Sequence, residues 1–202
     1  MRVMIRNDRL EAYALESEEV DFSDPAIAAK AEELTRGCAD EMDYVQRAYR
    51  FVRDEVAHSW DIRSRRITRT ASEVLTFGEG ICYAKSNLLC ALLRSKGIPA
   101  GFCYQRLTLG DTQGTGYCVH ALNAVFIASE ERWVRLDARG NKAGIQAEFS
   151  LDAEKLAFPV REHEGEIDYP GVYAWPNSKT MDALKQYADC INMYLHGLPS
   201  SL

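Results

Sequence analysis

Chemistry that a thiol and an imidazole can share narrows this sequence to a few positions. The six cysteines, Cys38, Cys82, Cys90, Cys103, Cys118 and Cys190, form no Cys-x-x-Cys pair and no Cys/His spacing of the zinc type. Cys82 stands apart from the other five. It follows Phe77-Gly78-Glu79-Gly80-Ile81, where two glycines license tight turns. It also opens the most apolar helical run of the chain, through Ala84, Leu88, Leu89, Ala91, Leu92 and Leu93. Unpaired amides and the dipole at a helix start favour negative charge, so a thiolate is stabilised there and an oxyanion can be received. Cys90 falls within the leucine-rich run, Cys103 and Cys118 in strand-like segments and Cys190 in a C-terminal helical segment. Those four read as inert packing residues. A cysteine at a helix start is also commonly structural, so the reading turns on a proton acceptor.

There are four histidines. His163 sits in an acidic run, Arg161-Glu162-His163-Glu164-Gly165-Glu166, and His196 at a helix end, both read as surface positions. His58 follows a helix and its pattern leaves it open. His120 lies in a strand, sharing a face with Cys118, Leu122, Ala124 and Phe126 while Val119, Ala121 and Val125 take the other. Such a histidine is ordinarily a core residue. Asp137, however, ends the next strand, Trp133-Val134-Arg135-Leu136-Asp137, and the short Ser129-Glu130-Glu131 link makes the two strands a hairpin. An acid there can hold the imidazole tautomer and stabilise the imidazolium formed after proton uptake. Its competing use is to cap the turn at Ala138-Arg139-Gly140-Asn141.

The elements that must position these residues follow from the same patterns. A strand is expected around Glu11–Leu15. Asp24-Pro25 caps a helix that stops at Gly37, and Asp40 opens a second, amphipathic one through Val56. Ser72-Glu73-Val74-Leu75 reads as a helical turn. The helix from Cys82 to Lys96 ends at Gly97-Ile98-Pro99. Strands follow around Phe102–Arg106, Tyr117–Ala128 and Arg132–Asp137, the first two separated by a turn over Gly110–Gly116. Tyr169-Pro170 and Trp175-Pro176 read as loops, and a single terminal helix is expected over Thr180–His196. The fold class is α+β, with the helix led by Cys82 packed against an antiparallel sheet.

Gly78-x-Gly80-Ile81-Cys82, followed by Leu92-Leu93-Arg94-Ser95-Lys96-Gly97-Ile98-Pro99-Ala100, resembles the nucleophile helix of the transglutaminase-like superfamily. Val119-His120-Ala121 and then Trp133-Val134-Arg135-Leu136-Asp137 resemble its histidine and aspartate blocks, in Cys-His-Asp order. Arg139-Gly140-Asn141 resembles small bacterial members predicted to be cysteine proteases. The resemblance covers residues 44–141 and implies a papain-like core in which Cys82 forms an acyl-enzyme, His120 shuttles the proton and Asp137 orients it. Two positions depart from the pattern: Leu122 stands where many relatives place tryptophan, and Ala138-Arg139 where many have Pro-Thr. A further oxyanion group is unassigned, with His58 or Trp60 as cleft-lining candidates.

Bulk composition fits one domain over residues 1–202, with residues 44–141 as the catalytic core between N-terminal helices and a C-terminal extension. A formal net charge of -6 argues against nucleic acid or an anionic membrane as partner, despite Arg63, Arg65, Arg66 and Arg69, which read as a solvated basic loop. The opening residues lack the apolar stretch of a secretory signal and no window reaches the length of a membrane span, so a cytoplasmic protein with free thiols is expected. No cofactor is implied, since no zinc ligand cluster or calcium loop appears. The expected activity is hydrolysis of a peptide or amide bond. The alternatives are transamidation by an intercepting amine and a non-catalytic binding scaffold.

Overall fold

The computed structural model describes residues 4–7, 9–110 and 113–202. In chain order its elements are β1 (Met4–Ile5), α1 (Pro25–Thr35), α2 (Glu41–Arg50), β2 (Ala57–His58), α3 (Ala71–Phe77), β3 (Glu79–Gly80), α4 (Cys82–Arg94), β4 (Ala100–Thr108), β5 (Tyr117–Ile127), β6 (Arg132–Leu136), β7 (Ile167–Tyr173), α5 (Ser178–Gln186) and α6 (Cys190–His196). Five strands form one sheet in the order β1-β7-β4-β5-β6. The β7-β4-β5-β6 pairings are antiparallel, and β1 joins β7 in parallel. β2 and β3 make a separate short parallel pair. The class is α+β, as the sequence pattern requires.

Local chemistry explains the helix boundaries. Asp24 accepts the Ala26 amide and Asp40 the Asp43 amide, each satisfying an orphan donor. Thr70 and Glu73 form a reciprocal capping box at α3, which ends on Gly78 at a left-handed φ of 66°. Four residues after Gly78 α4 begins, and every residue from Tyr83 to Arg94 is buried. A helix buried on all sides needs cover on all sides. α3, β4 and β5 are among the elements that provide it.

Polar anchors then fix α4 against the sheet. Near its start the Tyr83 hydroxyl donates to the Val119 carbonyl at 2.7 Å. Midway, Asn123 Nδ2 on β5 donates to the Ser86 carbonyl at 3.1 Å and the Gly101 carbonyl at 3.2 Å. At its end, Arg94 is buried with its guanidinium on the carbonyls of Leu15, Ala100 and Ala174, at 2.6–3.1 Å. Gly101 is obligatory for a related reason: a Cβ there would stand 2.7 Å from Val172 Cγ1 and 2.8 Å from the Tyr173 carbonyl.

Three expectations are corrected. Residues Leu10–Ala14 form a 3-10 turn, not a strand, because Tyr13 is drawn under the sheet, where its hydroxyl donates to the Val172 carbonyl at 2.9 Å. Tyr169-Pro170 lies in β7, not a loop. Pro170 falls where the β4–β7 register shifts between the Tyr104–Tyr169 and Phe102–Tyr173 pairs, so its missing N–H costs little there. The terminal helix is two helices, broken before Asp189, which caps α6 through the Asn192 amide at 2.9 Å. Of the turn expected over Gly110–Gly116, residues 111 and 112 lie outside the described ones.

The basic cluster is partnered by acids and rings. Arg65 meets Asp189 at 2.8 Å, Arg66 meets Glu79 at 2.9 Å, and Arg69 meets Glu18 at 2.8 Å; Arg63 stacks over Trp60. Replacing Arg94 with methionine strands the buried carbonyls of Ala100 and Ala174, and we expect a loss of about 3 kcal/mol or more in urea denaturation. A change under about 0.5 kcal/mol would show that Arg94 does not anchor α4.

Candidate active site

Cys82 is the first residue of α4, and Ile81 before it supplies no side-chain cap to the amides of the first turn. The two glycines upstream have different duties. Gly78 takes the left-handed conformation, whereas a Cβ on Gly80 would come within 3.1 Å of Thr68 Oγ1 and 3.2 Å of Ala84 Cβ. The Cys82 side chain is only partly buried and faces a cleft of about 450 Å³. His58, Trp60, His120, Arg139, Phe158 and Tyr194 also line that cleft.

His120 reaches the same cleft from β5. Antiparallel pairing of Asn123 with Leu136 sets the register of β5 and β6 and brings Asp137, just past the end of β6, alongside His120. His120 Nε2 and Asp137 Oδ2 are 2.9 Å apart, and both residues are almost fully buried. The Asp137 carboxylate also accepts the Arg139 amide at 3.1 Å and the Ala157 amide at 3.0 Å. Tyr49 donates to the Asp137 carbonyl at 3.2 Å. The structure therefore brings Cys82, His120 and Asp137 to one place.

Burial opposes the imidazolium at His120. The Asp137 charge, the charge of Cys82 and hydrogen bonds to both outweigh it and raise the pKa to about 10. For Asp137 burial favours the neutral acid, yet His120 and the two backbone amides hold its pKa below the usual carboxylate value. With Nε2 committed to Asp137, Nδ1 is the ring atom left to meet the sulfur.

The remaining cleft residues divide by environment. His58 is kept neutral by burial and by the Arg139 charge, and its buried Nδ1 has no hydrogen-bond partner among the described residues. Trp60 stacks on Tyr194 with ring centroids 4.1 Å apart. Cys118, read from sequence as packing alone, also lines the cleft. Burial and the nearby Cys82 push its thiol up to about 12, so it stays protonated. Cys90, Cys103 and Cys190 are buried with pKa values raised to about 11, 12 and 11, which fits inert thiols. Among the described residues, no group of His, Cys, Asp and Glu is arranged to hold a metal ion.

Residues past 151 contribute more than the sequence disclosed. Phe158 meets the His120 ring edge-on at 5.1 Å, and the Ala157 amide bonds Asp137. Arg135 holds this segment in place. Its buried guanidinium takes both oxygens of Glu154 at 2.6–2.7 Å and both of Asp168 at 2.7–2.9 Å. The extension thus packs on the sheet and also walls the cleft.

A sequence profile described as the transglutaminase-like superfamily matches residues 28–138, more than half of the chain. The chain belongs to that superfamily. No curated protein matches it. Among solved structures, a candidate cysteine protease from Cytophaga hutchinsonii is similar at 17% identity with a TM-score of 0.52, over 66% of this chain and 43% of its own. The periplasmic domain of TgpA from Pseudomonas aeruginosa is similar at 16% identity with a TM-score of 0.46, over 62% and 45%. This chain spans less than half the length of either structure. The first likeness supports the superfamily's fold. Among the described residues, no helix is long and apolar enough to cross a membrane.

The raised imidazole and lowered carboxylate make stability depend on pH. The His120 contribution is complete below its unfolded value of 6.5 and fades as pH climbs toward 10; the Asp137 contribution is present above 3.8 and fades below it. In urea denaturation the wild type should therefore lose more stability than His120→Gln between pH 6.5 and 10, by up to about 1.4 kcal/mol per pH unit. Identical pH slopes for the two proteins would contradict the ion pair.

Proposed function

We propose that this protein is a cysteine hydrolase of peptide or amide bonds, with Cys82 as nucleophile, His120 as proton carrier and Asp137 as its orienting partner. The observation that carries the reading is the buried bond from Asp137 to His120, whose ring lines the cleft onto which Cys82 opens. The Cys82 sulfur attacks the substrate carbonyl while its proton resides on His120, giving a tetrahedral oxyanion. The amides at the start of α4 are placed to receive that charge. Collapse expels the amine, which leaves with the proton from His120, and a thioester remains. Water then attacks the thioester, His120 takes the water proton, and the carboxylic acid departs as the C–S bond breaks and leaves the sulfur anionic beside the His120 imidazolium.

Asp137 keeps the Nε2 side of the ring engaged throughout, so that Nδ1 serves the sulfur and the leaving amine. More than half of the cleft wall is apolar, with Leu107, Val119, Ile145, Phe158 and Leu198 suited to an aliphatic or aromatic acyl side chain. Leu109 and Lys142 leave the rim open to solvent, which favours water over an excluded-water transamidation.

The test is incubation of the protein with a peptide mixture and a labelled primary amine, read by mass spectrometry. New peptide termini are expected without amine incorporation. Cys82→Ala should abolish them, and Asp137→Asn should slow them about 10³-fold. Amine incorporation without cleavage would replace hydrolysis by transamidation. No product of either kind, and none in any variant, would leave a binding scaffold.

A further inference from the structure

Lys85 lies one helical turn after Cys82 and is almost completely buried, an expensive place for an ammonium. Its Nζ donates to the Val56 carbonyl at 2.6 Å, the Arg139 carbonyl at 3.1 Å and the Arg53 carbonyl at 3.4 Å. These three acceptors come from two separate places. Arg53 belongs to a π-helical turn, Phe51–Glu55, that continues α2, and Val56 ends that turn. A π-helical turn departs from the α-helical hydrogen-bond pattern, so carbonyls there are available to an outside donor. Arg139 sits two residues beyond Asp137, in the turn whose amide bonds the Asp137 carboxylate.

We propose that Lys85 is a positioning residue that clamps the start of the nucleophile helix to the turn after Asp137 and so fixes Cys82 against the His120–Asp137 pair. The inference rests on the functional reading above. Gly140 shows how closely the turn wraps the ammonium. It holds φ at +111°, and a Cβ there would stand 3.2 Å from the Arg53 carbonyl and 3.4 Å from Nζ. An uncharged side chain of the same length fills the space but withdraws the donor from the buried Val56 and Arg139 carbonyls and from the part-buried Arg53 carbonyl.

The clamp is also poised to weaken near neutrality. Burial lowers the Lys85 pKa to about 7, and the Arg139 charge pushes in the same direction, against the carboxylates of Asp137, Asp54 and Asp61. The neighbouring His58 is neutral. A raised pH removes the ammonium charge and with it the charge-assisted part of the three bonds.

The experiment measures the rate at which iodoacetamide alkylates Cys82 at pH 6, by peptide mapping, in wild type, His120→Ala and Lys85→Met, with the His120 ring titration followed by NMR. Lys85→Met should lower the labelling rate about tenfold and move the His120 midpoint downward. Wild-type labelling in a folded Lys85→Met, with an unmoved His120 midpoint, overturns the proposal while the nucleophile assignment stands. If wild type labels no faster than His120→Ala, the nucleophile assignment fails and the inference falls with it. Should Lys85→Met fail to fold, hydrogen exchange of the wild-type Arg139 amide decides. Its protection factor should fall between pH 6 and 8.5, and a flat value overturns the clamp.

Discussion

A buried imidazole bonded to a buried carboxylate is the constraint around which the rest of this protein is arranged. Removing either partner would leave an unpaired polar or charged group in a nearly dry interior, at a cost of about 3–5 kcal/mol. The structure meets that demand by surrounding Asp137 with donors rather than with apolar atoms. His120, the Arg139 amide and the Ala157 amide all point at its two oxygens. Once the carboxylate is saturated in this way the ring cannot rotate, and its second nitrogen is presented to the cleft.

Geometry on this scale depends on elements far apart in sequence. The β5–β6 register places Asp137 beside His120, the Tyr83–Val119 bond ties the start of α4 to the strand that carries His120, and Arg94 holds the other end of α4. Arg135, gripping Glu154 and Asp168, carries the extension across the sheet so that Ala157 and Phe158 arrive at the pair. Positively charged side chains recur as fasteners at these joints. Arg94 and Lys85 each spend their charge on backbone carbonyls, Arg135 on carboxylates, and all three are buried.

Much of the site was legible because its signals are local. Gly78 and Gly80 before Cys82, the apolar run of α4, the Gly97 stop and the short link between β5 and β6 each depend on near neighbours, and the structure keeps them all. The contributions of the extension were not legible, because no residue pattern in 151–166 encodes where an amide will point. Pro170 disguised β7 as a loop, and its tolerance depends on a register shift seen only in three dimensions. The strand expected around Glu11–Leu15 failed for a similar reason, since the Tyr13 hydroxyl is claimed by the distant Val172 carbonyl. Lys85 carried no signal at all; on a helix read for its leucines, a lone lysine looks like a solvent contact.

The central claim is that one thiol of the six is the acyl acceptor, and intact-protein mass spectrometry after brief exposure to a p-nitrophenyl acyl ester tests it most directly. The account predicts a single acyl adduct on the peptide that contains Cys82, released by neutral hydroxylamine as a thioester must be, and missing from His120→Ala on the same timescale. Acylation distributed among several cysteines, or equal in wild type and His120→Ala, would contradict it.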